Sequence, residues 1–303
     1  MILSVVLPVY NGELFLREAV QSVLDQTFRD FELIIINDGS KDRSKDILES
    51  FEDDRIRLIN QENRGLAATL NVGIKLARGK YIARMDADDI AFSNRFERQL
   101  GYLQEHPNVV LLGSAVEMID SKGAYLCVDP PFVGSKFLKK YLFRVGNPFK
   151  HPTVIFNRQA AIDCGGFNEL IGKYFEDYFL WSRLAEKGDI ANLDEVLLKY
   201  RITPGSIMGS IKTKEFSDFM LGIIARGDFD ENDLKKMIDI KKTEALSGSE
   251  HEQNITSYNK RIEIIKSKKS NKLFQLLSGV VGKRLSVKIM IWINQKRFSW
   301  VIK

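Results

Sequence analysis

Cysteine is scarce: Cys127 and Cys164 are the only two in 303 residues. Two are too few for a disulfide framework and fit a reducing compartment. Each is flanked by apolar or small residues, so each reads as a buried or half-buried thiol. There is no CxxC pair and no Cys/His cluster, which argues against a structural zinc site. Long apolar runs are missing too. No stretch approaches the roughly 18 residues of a membrane span, and residues 1–8 lack the basic leader and cleavage site of a signal peptide. The expected location is therefore the cytoplasm. Glycine is absent where a dinucleotide-binding turn would need it. Pro8-Val9-Tyr10-Asn11-Gly12 is not the Gly-x-Gly-x-x-Gly of a dehydrogenase, nor the glycine- and arginine-rich phosphate loop of a nucleotidyltransferase. Internal repeats and long low-complexity segments are also lacking.

Acid is missing from one end. No Asp or Glu follows Glu263, while residues 264–303 hold ten Lys and Arg. That leaves 35 of the 45 basic residues against all 40 acidic ones on the rest of the chain. A basic pole on an acidic body suits an anionic partner, phospholipid or nucleic acid.

What is present is an alternation of strand and helix patterns. Residues 2–9, 31–36 and 55–59 read as buried strands, and 13–26, a segment from 44, and 66–77 read as helices. A fourth strand starting at Tyr81 runs into Asp86-Ala87-Asp88-Asp89, followed by a helix over 93–105. Such alternation predicts a parallel sheet covered by helices, with ligands beyond the carboxyl ends of the strands. Those ends are Pro8-Val9-Tyr10-Asn11, Asn37-Asp38-Gly39-Ser40 and the acidic turn, which should line one edge as a single site.

Further on, 108–119 is β-like with a hairpin turn at 120–123, 136–143 is helical, 151–156 is a strand and 158–164 a short helix. Residues 176–187 form an amphipathic helix and 195–201 a strand. Pro204-Gly205 marks a boundary. Beyond it, 216–225 and 233–240 are helical and 247–254 is a loop.

Three carboxylates within four residues repel one another unless a positive charge sits among them. Mg²⁺ or Mn²⁺ is the natural partner, since both take oxygen ligands and share them with substrate phosphates. The alternative is an acidic turn that caps the following helix.

These motifs resemble the family-2 glycosyltransferases of the GT-A fold, the enzymes that build bacterial surface polysaccharides among other glycans. The likeness is carried by Pro8-Val9-Tyr10-Asn11-Gly12, Asn37-Asp38-Gly39-Ser40 with Asp42 and Ser44, Asn63-Arg64-Gly65-Leu66, Met85-Asp86-Ala87-Asp88-Asp89, and Phe175-Glu176-Asp177, in the family's order. It covers about residues 2–205. The resemblance implies an α/β protein of GT-A type, with a mostly parallel central sheet flanked by helices: a catalytic domain over 1–205 and a small helical, basic C-terminal region over 206–303. It implies inverting, non-processive transfer of a sugar from a nucleotide sugar, UDP-linked, to a hydroxyl of a glycan or lipid-linked glycan.

In that reading Pro8 and Tyr10 lie against the nucleobase and Asp38 accepts its imino hydrogen, the alternative for Asp38 being an Asx-turn. Glu13, Asn63, Gly65, Asp86, Ala87 and Asp88 complete the nucleotide-sugar site. Asp88 holds Mn²⁺ or Mg²⁺, with Asp89 as a possible second ligand. Asp177 is the general base, where the alternative is an acidic helix N-terminus. His151, Glu176 and Trp181 are acceptor-side candidates, although Trp181 serves equally as a core residue. Arg201 is a candidate for the diphosphate, but Thr203 stands where many relatives carry histidine, and the Gln-x-x-Arg-Trp element of processive synthases is absent.

The tail reads in two ways. In one it is a peripheral anchor at the inner face of the cell membrane, with Leu273, Phe274, Ile291, Trp292, Phe298 and Trp300 entering the interface. In the other it is a helical bundle packed on the catalytic domain. The rival to an enzyme is a nucleotide-sugar- or nucleic-acid-binding module without turnover; within the family reading no nucleic acid is expected.

Overall fold

A computed structural model describes residues 1–172, 175–203, 214–245, 263 and 269–297. Four strands form its parallel half: β1 (Leu3–Val9), β2 (Phe31–Asp38), β3 (Ile56–Gln61) and β4 (Tyr81–Arg84), in the order β3-β2-β1-β4. Beyond β4 the sheet turns mixed. β8 (Ile155–Asn157) pairs antiparallel with β4 and with β6 (Val109–Ile119), and β6 pairs in parallel with β9 (Asp189–Arg201). The short β5 (Ile90–Ala91) closes that edge against β9, and β7 (Tyr125–Asp129) folds back on β6.

The inner strands β1, β2 and β4 are buried along nearly all of their length because both faces are covered, whereas β3 at the edge is half-buried. Val6, Ile34, Ile36 and Ile82 face one core, with Leu70 and Ile74 of α3 (Leu66–Leu76) and Leu180 and Leu184 of α7 (Glu176–Lys187). Their neighbours Val5, Leu7, Leu33, Ile35 and Ala83 face the other. There they meet Val20 and Val23 of α1 (Leu16–Leu24) and Phe96 and Leu100 of α4 (Arg95–Glu105). The helix α3 lies so close that a Cβ on Gly73 would sit 2.4 Å from Val6 Cγ1.

The sheet is longer and more mixed than the sequence pattern indicates. β5 has no sequence signal at two residues, and β9 begins at Asp189 rather than 195. The expected strand over 151–156 is a 3₁₀ turn, His151–Thr153, before β8. Pro152 explains the turn: it has no N–H to give a ladder and its φ is fixed. The helices α2 (Ser44–Glu49), α5 (Ser135–Arg144) and α6 (Arg158–Asp163) lie close to their expected places. Cys127 is buried and Cys164 half-buried, and neither is in a disulfide.

The boundary at Pro204-Gly205 and the 247–254 loop lie outside the described residues. On the far side of that boundary, α8 (Lys214–Arg226) and α9 (Glu231–Ala245) send Phe216, Met220, Ile223 and Met237 into the same core as Phe175 and Trp181. Two further helices, Lys269–Val281 and Lys283–Arg297, pack through Phe274, Val287, Met290 and Ile291 on Ala115 and Val128. The bundle reading of the tail holds for these residues. Phe274 and Ile291, expected at a membrane interface, are instead buried at 3% and 5% exposure; Phe298 and Trp300 lie outside the described residues.

Candidate functional site

β1 pairs in parallel with both β2 and β4, so the carboxyl ends of all three lie side by side. The loops that leave them are tied together. Asn11 N–H donates to Ser40 Oγ (3.0 Å), Lys41 N–H to Asn11 Oδ1 (2.8 Å), Gly12 N–H to Ser44 Oγ (2.9 Å) and Glu13 N–H to Asp42 Oδ2 (3.0 Å). Asn11 takes φ +51°, a region an Asn tolerates in tight turns. Glu13 accepts from Arg43 N–H at 3.0 Å, so its carboxylate staples the first loop to the second. Tyr10 stands free of this lattice at 51% exposure, with Pro8 half-buried beside it.

Asp38 is buried, and its two oxygens accept from Arg64 N–H (2.9 Å), Gly65 N–H (3.0 Å) and Gln61 Nε2 (2.7 Å). It therefore brings Asn63 and Gly65 to the end of β2. The alternative for Asp38, an Asx-turn, is not formed; the turn is instead braced by Asn37, whose Oδ1 accepts from Ser40 N–H, three residues on, at 3.2 Å. Gly39, at φ +71°, has no room for a side chain: a Cβ would meet Asn63 N at 2.7 Å. Only glycine allows this approach of the two loops.

The acidic turn closes against the first loop, since a Cβ on Gly12 would lie 3.4 Å from that of Ala87. Carboxylate oxygens of Asp86, Asp88 and Asp89 all lie within 4.8 Å of one another. Burial, then the neighbouring Asp86, push the Asp88 carboxyl up to about 7. Asp89 is raised well above the usual carboxylate range by burial, Asp88 and Asp86. Its Oδ1 accepts from Arg201 N–H at 2.7 Å, while its Oδ2 is buried without a hydrogen-bond partner. Arg84, buried on β4, pairs with Asp86. Arg95, fully buried on α4, donates to the Arg84 carbonyl at 2.9 Å, and burial lowers it to about 9.

An orphaned carboxylate oxygen among three mutually repelling acids fits a hard divalent cation, and Asp86, Asp88 and Asp89 are the residues that could hold one. Arg201 does not match its expected place on the diphosphate. Its Nε donates to the Asp88 carbonyl (2.8 Å), its Nη2 meets Glu18 (2.6 Å), and its guanidinium covers the Phe15 ring at 4.4 Å. It fixes the acidic turn from behind.

The fourth wall is the start of α7. Glu176, at 4% exposure, is raised to about 8 by burial and by adjacent Asp177; Arg84 and Asp86 are close enough to act on it too. Asp177 accepts from Tyr178 N–H (2.6 Å) and from Asn147 Nδ2 (2.9 Å). The amide of Asn147 is held in turn by Phe149 N–H on its Oδ1 at 3.0 Å. His151 Nδ1 is 3.8 Å from Glu176, too long for a hydrogen bond. Burial, then Arg84, hold His151 well below its usual range, so it is neutral.

Of the two readings of Trp181, the structure takes the core one. Trp181 is fully buried against His151, Phe156 and Phe167, with no surface to offer an acceptor. One helical turn past Asp177 at the start of a core-facing helix places it inward.

Sequence reading passed over Arg84, Arg95 and Asn147. Arg84 carried a signal, a lone charge ending an apolar strand beside three acids. Asn147 carried none, since only folding brings it to α7.

An α/β sheet with an acidic turn and knitted loops at its carboxyl edge is the architecture of the GT-A fold. The comparisons agree. The sequence pattern of glycosyl transferase family 2 matches residues 4–166, and the chain belongs to that family. An uncharacterized glycosyltransferase of Rickettsia prowazekii, RP339, is 34% identical over 236 residues, 74% of this chain and 72% of that one. One of Haemophilus influenzae is 33% identical over 219 residues, 66% of this chain and 65% of that one. The amylovoran biosynthesis glycosyltransferase AmsE of Erwinia amylovora is 33% identical over 204 residues, 65% of this chain and 75% of that one. Among solved structures, S. aureus TarS 1-349 in complex with UDP-GlcNAc shares the fold, with a TM-score of 0.61 at 16% identity. The match covers 99% of this chain and 92% of that one. The chain is a glycosyltransferase.

Proposed function

We propose that this glycosyltransferase takes a UDP-linked sugar as donor and passes the sugar, with inversion at its anomeric carbon, to a hydroxyl of a surface-polysaccharide intermediate. The observation that carries the reading is the buried, unpartnered Asp89 Oδ2 among three acids at the end of β4, bordered by the loops from β1 and β2. The similarity to AmsE supports the polysaccharide assignment, and the UDP-GlcNAc bound to TarS supports the donor.

Tyr10, with its exposed ring beside Pro8, offers a stacking face to the base. Asp38, with Asn63 and Gly65 gathered on it, lines the base and ribose side. Asp86, Asp88 and Asp89 would hold Mn²⁺ or Mg²⁺. When bound, the ion offsets the charge that builds on the departing UDP. Asp177 is the general base. Asn147 and the Tyr178 N–H orient its carboxylate, which takes the proton of the attacking hydroxyl. Glu176, raised to about 8, is neutral at pH 7 and so does not compete for that proton. A proton on Glu176 also spares the pocket a further negative charge beside Asp86.

The test is UDP release from a panel of UDP-sugars with Mn²⁺ and a glycan acceptor. Release that depends on acceptor and is lost in Asp88→Asn and Asp177→Asn supports the reading. Donor binding with no release under any acceptor, or release unaltered in both variants, goes against it.

A further inference from the structure

The two C-terminal helices have a second face that the catalytic domain does not cover. In helix Lys283–Arg297 the inward residues are Val287, Met290 and Ile291. Leu285, Trp292 and Lys296 recur at i, i+7 and i+11 and share the opposite side. Leu285 is 47% and Trp292 58% exposed, and Leu276 of the preceding helix is 67% exposed. Lys296 lies over the Trp292 ring at 4.4 Å. Among the described residues no apolar partner covers these large side chains.

Their setting names the partner. Residues 269–297 carry Lys269, Lys272, Lys283, Arg284, Lys288, Lys296 and Arg297 and no acid. Lys283 and Lys288 also reach Glu117 (3.1 Å) and Asp194 (3.5 Å) on the catalytic domain, so the helix is clamped with its apolar stripe pointing away. Docking on the domain and facing a lipid surface are therefore compatible. No described helix is long and apolar enough to cross a membrane. A leucine and a tryptophan bordered by lysines, on a helix held rigidly by its other face, match the interface of an anionic bilayer: lysines at headgroup phosphates, indole at the glycerol level.

We propose that Leu276, Leu285 and Trp292, with the exposed Arg284 and Lys296, form a docking face for an anionic phospholipid surface, so that the enzyme lies on the membrane through its C-terminal helices. The assignment is independent of the sugar-transfer chemistry.

The test is co-sedimentation of the full chain with vesicles of phosphatidylcholine alone and of phosphatidylcholine with one-third phosphatidylglycerol, at low and high salt. The expected result is binding to the anionic vesicles only, weakened by salt. Leu285→Ser with Trp292→Ser should lower the partition at least about tenfold. Arg284→Gln and Lys296→Gln should each lower it about fivefold. All four positions are exposed, so circular dichroism and thermal midpoints should match the parent. Three results would overturn the proposal: no sedimentation with anionic vesicles at low salt, binding that is indifferent to the Leu285/Trp292 pair, or a vesicle-free dimer that the same pair abolishes, which would assign the face to a second copy.

Discussion

At the scale of the residue, the site is a problem in electrostatics. Asp88, pushed up to about 7, is costly to ionise in the metal-free protein. A carboxyl raised on folding stabilises through its bound proton. That contribution is complete below the ordinary carboxylate range and is lost as pH rises through about 7. Asp88→Asn should therefore raise the thermal midpoint at pH 8 in EDTA, by about 2 °C or more, raise it less at pH 5, and change it little at pH 3. The same variant should lose about 10²–10³ in kcat/KM. Opposite signs in stability and activity, read by scanning calorimetry and UDP release, separate a functional carboxylate from a structural one.

Asn147 gives a second residue-scale prediction. It donates one of the hydrogen bonds on Asp177. A carboxylate that loses such a donor holds its proton more tightly. Asn147→Ala should move the acid limb of the pH–kcat/KM profile upward, and Asn147→Asp should move it further by adding a like charge. Asp177→Asn should cost about 10²–10⁴ in kcat at every pH while leaving donor affinity intact. An Asn147→Ala profile that falls evenly with no shift would mean the residue does not act through Asp177.

At the scale of the element, α7 joins two jobs. Its first turn presents Glu176 and Asp177 to the site, and its next turn buries Trp181 in the core. Trp181→Ala should cost about 3–5 kcal/mol of stability by leaving a cavity between Phe156 and Phe167. Denaturant titration checks this, and the acceptor KM of the remaining folded enzyme should not change. The loops behave as one element as well. Six hydrogen bonds between residues 11–13 and 40–44 lock them before any ligand arrives. The strand ends were legible because polar turn residues interrupt apolar runs at Asn11, Asn37 and Asp86. β5 and the 3₁₀ turn at His151 were not. A two-residue strand has no period to read, and the His151 segment is shaped by Pro152 and its packing.

At the scale of the whole molecule, ligand binding should be visible as stabilisation. Mn²⁺ and UDP together, at about a hundred times their dissociation constant, should add about 2.7 kcal/mol to the free energy of unfolding. Thermal shift reads this. Mn²⁺ alone should give part of it, and Asp88→Asn should abolish the Mn²⁺-dependent part. Phe216 and Met220 of α8 share one core cluster with Trp181 and Phe175, on either side of the first turn of α7 in the chain. No ion-induced stabilisation in the parent protein would count against the metal assignment.

The order of the first four strands and the helices between them, the positions of the polar strand ends and the acidic turn were written in the sequence, because period and turn chemistry are local. So was the basic tail, since charge needs no folding to be counted. Tertiary structure alone decided that Arg201 backs the acidic turn, that Asp38 gathers the 63–65 loop, that Asn147 meets Asp177 and that Trp181 is core. It also decided which face of the C-terminal helices points outward. These depend on contacts between segments far apart in the chain, which only sheet pairing and packing bring together.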